Sequence, residues 1–206
     1  MPRVLLSLAA VVAVLLVASQ FALPPLAERK AEDRLEEGGG GARVDLSAFP
    51  ALRLLFDDGD SLEARGEGLS LDMTRRQQVL QRLDGFDEVD IELVDFRVGP
   101  FDLDGFVMTR GEGETGYRTA FSGEASPREV AAFVGRQAGG ALGGLLGGLA
   151  AGTLPGGGDT PLPVKLRANV ESRDGRVHVT STSGSVAGIP AGPFAQLVIE
   201  LVVRRL

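Results

Sequence analysis

No charged residue interrupts the chain between Arg3 and Glu28, where it reads VLLSLAAVVAVLLVASQFALPPLA. A membrane-spanning helix needs about 20 apolar residues, and Val4 to Leu23 supplies that length. A buried helix of a globular domain would carry a polar stripe instead. The run therefore directs export, and Arg3 on the short side places the N-terminus inside and the remainder outside. Val17-Ala18-Ser19 offers small residues at a cleavage site. The run continues through Phe21 and Leu23, and this length favours a retained anchor over a cleaved signal peptide. Pro24-Pro25 is expected to end the helix, because proline lacks the donor and clashes with the preceding turn. The expected organisation is a signal peptide or anchor over 1–25, a stalk helix and glycine hinge over 26–41, and an extracytoplasmic domain over 42–206. The protein would sit in the cytoplasmic membrane as a single-pass, N-in protein, or be released to the cell envelope if cleaved.

Charge and rare residues narrow the chemistry. The net charge is −7, from 28 acidic and 21 basic residues. A nucleic-acid partner would need a basic face to displace counterions, and a polybasic grip on anionic lipid would need the same. Cysteine is absent, which excludes disulfides and a lipid-anchored cysteine. His178 is the one histidine, so a zinc site is not expected. There is no tryptophan and one tyrosine, Tyr117, which argues against a base-stacking platform. No cofactor is expected.

Apolar periodicity predicts an α+β domain. Leu26 to Glu37 reads as a charge-rich stalk helix with an Arg29–Asp33 pair. Ser47 to Phe56 reads as a short helix with Phe49, Leu52, Leu55 and Phe56 on one side. Leu62 to Met73 alternates as a strand whose phase changes near Gly66 and Gly68, which predicts a bulge. Thr74 to Gln77 is a capping box for a helix carrying Val79, Leu80 and Leu83, stopped at Asp84-Gly85. Val89, Ile91 and Leu93 share a strand face with Val94, Phe96 and Val98 only if a residue bulges near Leu93-Val94. Phe101, Leu103 and Val107 continue the β region, and Tyr117 to Phe121 adds a strand. Repeated bulges bend a sheet, so a strongly curved antiparallel sheet packed with amphipathic helices is expected. Ser126-Pro127-Arg128-Glu129 starts a glycine- and leucine-rich helix, and Pro193 to Leu206 forms the last one. Leu162 to Thr182 is a hairpin turning at Asp174-Gly175, with Val170 opposite Val179 and Glu171 opposite His178.

Residues that could carry chemistry have simpler explanations. Gly111 to Gly116 matches a dinucleotide-loop spacing, but a strand follows where a helix is required, so a β-turn is expected. Asp57-Asp58-Gly59-Asp60 lacks calcium-loop spacing and reads as a solvated turn. Asp102 and Asp104 share a polar strand face. His178 lies on a polar face without a nucleophile motif, so no catalytic constellation is present. The glycine-rich helix either packs closely on the sheet or touches lipid. A second span is disfavoured by its glycines, each costing about 1 kcal/mol of helix propensity.

Several segments together resemble the LmeA-like family of envelope phospholipid-binding proteins. They are the apolar start, then LAERKAEDRLEE, then FPALRLLFDDGDSLEARGEGLSL, then YRTAFSGEASPREVAAFVG. Phe49, Pro50, Leu52 and Leu55 match an F-P-x-L-x-x-L segment, and Leu62, Ala64 and Gly66 match an alternating strand. The resemblance implies a non-enzymatic, membrane-associated protein that binds phospholipid in an apolar groove, in a fold similar to tubular lipid-binding proteins. Phe96, Phe101, Phe106, Leu142, Leu145 and Leu146 are the expected groove-lining residues. The alternative is a structural envelope protein that binds a protein partner through its apolar helices.

Overall fold

The computed structural model describes residues 2–71, 79–98, 101–126, 128, 160–173 and 176–190, with side-chain surroundings from Leu16 onward. In chain order these form α1 (Pro2–Leu35), a 3₁₀ turn (Glu36–Gly38), β1 (Gly41–Ser47), a second 3₁₀ turn (Ala51–Phe56), β2 (Gly59–Glu67) and β3 (Ser70–Leu71). Then come α2 (Val79–Leu83), β4 (Phe86–Val98), β5 (Phe101–Arg110), β6 (Gly116–Ala125), β7 (Leu162–Arg173), β8 (Arg176–Val186) and β9 (Ile189–Pro190). All nine strands form one sheet, in the order β1-β2-β4-β5-β6-β7-β8-β9, with β3 also on β4.

This corrects the expected fold class in three respects. The sheet is mixed: β2 and β3 run parallel to β4, and every other neighbouring pair is antiparallel. The physical cause is the connection from Gly68 to Gly85, which carries the chain back to the start of β2 through α2. The chain therefore re-enters the sheet in the same direction. Among the described residues the sheet is also open, so a tubular fold does not describe it. Among the described residues helix is concentrated in α1, with α2 the one other α-helix. The helices expected after Ser126 and over Pro193 to Leu206, and the capping box at Thr74, lie outside the described residues.

The expected breaks in strand phase are present, and they line up. In β2 the inward residues are Ala64 and Gly66, and beyond Gly68 (φ +67°) the inward residue is Leu69. In β4, Val89 and Leu93 point inward, Val94 points out, and after Asp95 (φ +48°) Phe96 and Val98 point inward. In β5 the register against β6 slips between Leu103 and Gly105, leaving Asp104 as the extra residue. Glu67 pairs with Val94, and Val94 with Gly105. The three irregularities thus form a fault line across neighbouring strands, and the core face is kept on both sides of it. The break is bridged by Gly68 N–H donating to the Val94 carbonyl (3.2 Å) and Arg97 N–H to the Leu69 carbonyl (2.8 Å).

α1 passes through Pro24 and Pro25 without ending, unlike the expectation. Its half-buried positions recur as 19/20, 23/24, 27/28, 31/32 and 35, a face that lies along the domain. Tertiary packing against β1 and the second 3₁₀ turn therefore outweighs the missing helical hydrogen bonds. Polar contacts run the length of this seam. The outward N–H groups of Ala42, Val44 and Leu46 donate to the carboxylates of Glu36 (2.7 Å), Glu32 (3.0 Å) and Glu28 (3.1 Å). Four helical residues advance about 6 Å and two strand residues about 6.6–6.8 Å, so the spacings nearly match. The ladder closes an edge that would otherwise be open to pairing.

Among the described residues no helix is long and apolar enough to cross a membrane. Most of the apolar run Val4 to Leu23 precedes Leu16, where side-chain description begins.

Candidate functional site

The outer face of the sheet is written by register. Three rows cross five strands: Asp90–Thr109–Arg118–Asn169–Ser181, then Glu92–Val107–Ala120–Arg167–Ser183, then Val94–Gly105–Ser122–Lys165–Ser185. On β5, β6 and β8 these rows are dominated by small side chains, so the surface sinks there. Two adjoining open hollows result, of about 580 and 340 Å³. Both are lined by Val107, Ala120, Arg167 and Ser183, and the larger adds Lys165 and Phe121. Gly184 (φ +148°) sits on the backbone of β7, where a Cβ would overlap the Lys165 carbonyl oxygen. Gly105 faces open space, and a Cβ there would meet nothing nearer than Ser122 Oγ at 3.9 Å.

Charge on this face is segregated. The β2 and β4 columns are acidic and are partly neutralised by Arg65, which bridges Glu63 (2.9 Å), Asp90 (3.7 Å) and Glu92. The cations of the three rows lie on β6 (Arg118) and β7 (Lys165 and Arg167). Arg118 pairs with Glu114 at 3.2 Å. Lys165 and Arg167 stand two residues apart on the same face of β7 and make no ion pair among the described residues. The hollow thus combines apolar atoms, serine hydroxyls and two available cations. That set can hold an anionic group and, beside it, an apolar body.

A second polar constellation lies on the core side. Tyr117 is 0% exposed and Arg110 is also buried. Arg110 donates to the Tyr117 hydroxyl (2.7 Å), to the Leu83 carbonyl (2.9 Å) and to the Phe86 carbonyl. Tyr117 in turn donates to Asp84 (2.9 Å), as does Ser172. Asp84 and Arg110 lie 3.5 Å apart. Burial first, and then the hydrogen bond to Asp84, push the Tyr117 phenol well above its ordinary range. It stays a protonated donor. The network ties the end of α2 to β4, β5, β6 and β7, which is a clamp rather than a reaction centre. Sequence reasoning missed it, because Arg110 resembles any charged residue on an alternating strand.

The expected groove residues divide. Phe96 and Phe106 meet edge to face, with ring centroids 6.3 Å apart. Phe96 and Phe101 belong to the hydrophobic core cluster, Phe106 packs partly buried against it, and none of the three lines the hollows. Leu142, Leu145 and Leu146 lie outside the described residues. His178 is exposed and sits opposite Glu171, and Val179 sits opposite Val170, as the hairpin reading required. Gly111 to Gly116 forms a turn in which Glu114 N–H donates to the Gly111 carbonyl (3.0 Å). Asp58 and Asp60 serve Arg53, at 2.8 and 2.5 Å. The Arg53 hydrogen bond draws the Asp58 carboxyl below its ordinary range. Asp102 pairs with Arg97 at 2.5 Å, and Asp104 is the bulge residue.

The chain matches no protein-family model, no curated protein and no solved structure.

Proposed function

We propose that this is a membrane-attached, non-enzymatic envelope protein that holds a phospholipid on the outer face of its sheet. The carrying observation is the hollow itself, with Lys165 and Arg167 available beside an apolar and hydroxyl-bearing lining. The phosphate would sit against the two cations, and the acyl chains over Val107 and Ala120. Two further features support the reading: the apolar run Val4 to Leu23, which would keep the domain beside its ligand source, and the resemblance to envelope phospholipid-binding proteins. Phe96 and Phe101 lie in the core cluster and Phe106 packs partly buried against it, so the hollow proposed here uses other residues.

The test is lipid extraction and native mass spectrometry on the full chain, purified in detergent from cells. Stoichiometric phospholipid is expected. Lys165→Glu with Arg167→Glu should reduce it at least tenfold, since a hydrogen bond to a charged group is worth about 1.5–3 kcal/mol. Gly105→Phe should do the same by filling the hollow, because the space above that position is open. Undiminished lipid in both variants would overturn the reading.

A further inference from the structure

Beside α1 the fold exposes a cluster of large apolar side chains. The segment after β1 forms a 3₁₀ turn, whose period of three buries Ala51 and Leu54. The same geometry turns Phe49, Leu52, Leu55 and Phe56 outward, with Phe49 78% and Phe56 82% exposed. Leu16, Val17, Phe21 and Leu26 of α1 are also exposed. The 3₁₀ turn packs on α1. Its position along α1 follows from the glutamate ladder: Glu28 meets Leu46, near the end of β1, so the chain beyond Ser47 continues toward lower-numbered residues of α1. The apolar knob therefore lies at the end of the domain from which the uncharged run emerges. The neighbouring cation, Arg53, is held by Asp58 and Asp60, so the surface offers apolar contact rather than charge.

We propose that Phe49, Leu52, Leu55 and Phe56 insert into the interfacial layer of the bilayer that receives Val4 to Leu23. This seats the domain on the membrane at a second point beside the helix. The occupant is lipid rather than protein because the patch continues the exposed apolar surface of α1 toward a run with no charge between Arg3 and Glu28. The proposal rests on the membrane attachment proposed above, and its test separates the two.

The chain has no tryptophan, so a single introduced indole reports without background. Phe56→Trp, Phe49→Trp and Val11→Trp would each be placed in the full chain and reconstituted in phosphatidylcholine vesicles carrying doxyl-labelled lipid. The expected result is quenching of all three. For the two knob positions, a label near the headgroup should quench more than one at the chain terminus. Quenching of Val11→Trp alone would overturn the knob proposal and leave the membrane attachment standing. A blue-shifted but unquenched knob indole would do the same, pointing to a second copy as the occupant. No quenching at any position would overturn both.

Discussion

Tyr117 and Arg110 show how two buried polar groups, tied to the exposed Asp84, hold this fold. Removing either one takes a partner from the other's buried polar atoms. Arg110→Met is expected to cost about 1–3 kcal/mol, because the Tyr117 hydroxyl and the Leu83 and Phe86 carbonyls lose a buried donor. Urea denaturation checks this. The raised phenol pKa gives a signed pH dependence. The folded state keeps the Tyr117 proton to higher pH than the unfolded chain, so this stabilisation is complete below about pH 10. It is lost as pH rises from there through the folded value. Urea midpoints compared at pH 8 and pH 11 should fall more for the native chain than for Tyr117→Phe; equal falls would rule the linkage out. Some residues of this kind were readable from sequence. The two-residue turn expected at Asp174-Gly175 predicts Glu171 opposite His178, the register the strands show, because hairpin register follows from turn length. Arg110 was hidden because its inward parity follows from the break at Asp104, several residues earlier.

At the scale of elements, the glutamate ladder shows why local patterns can be visible and still be misread. Glu28, Glu32 and Glu36 recur every four residues in LAERKAEDRLEE, which alone describes a solvated helix face. Their partners are the unpaired amides of β1, a tertiary fact absent from the helix sequence. Glu28→Ala with Glu32→Ala should free the Val44 and Leu46 amides. Each lost bond is worth about 1–1.5 kcal/mol, so hydrogen exchange there should quicken roughly tenfold, with β6 and β7 unaffected. The parallel crossover had a readable sign that the antiparallel expectation passed over. Val79, Leu80 and Leu83 form a helical pattern between two strands, the arrangement that joins parallel neighbours. The grouping of Phe49, Leu52, Leu55 and Phe56 on one side was legible, but the backbone over Ala51–Phe56 is a 3₁₀ turn and that side is the exposed one.

Across the whole molecule, the fault line at Gly68, Asp95 and Asp104 decides which residues form the core. Its existence was legible, since the apolar phase in β2 and β4 cannot be continuous otherwise. The open sheet was not legible, because bulges bend strands without stating whether the edges meet. Deleting Asp104 should turn Phe101 and Leu103 to the outer face while Met108 stays inside. Burial of each such side chain is worth about 1.5–3 kcal/mol, so a loss of about 3–6 kcal/mol is expected by thermal or urea unfolding. An unchanged midpoint would show that the two halves of β5 adjust independently.

The helix that runs unbroken through Pro24 and Pro25 sets the reach of the domain. A flexible connector of n residues would let it sweep a volume of radius about 5–6 Å × √n. A docked helix allows no such search: from Leu23 to Leu35 it rises about 18 Å at 1.5 Å per residue, and the sheet is fixed along it. The hollow is therefore carried at one height and one heading along α1. Under the membrane attachment proposed above, a lipid bound there would have to arrive at that height, or be met by a partner whose own reach bridges the gap.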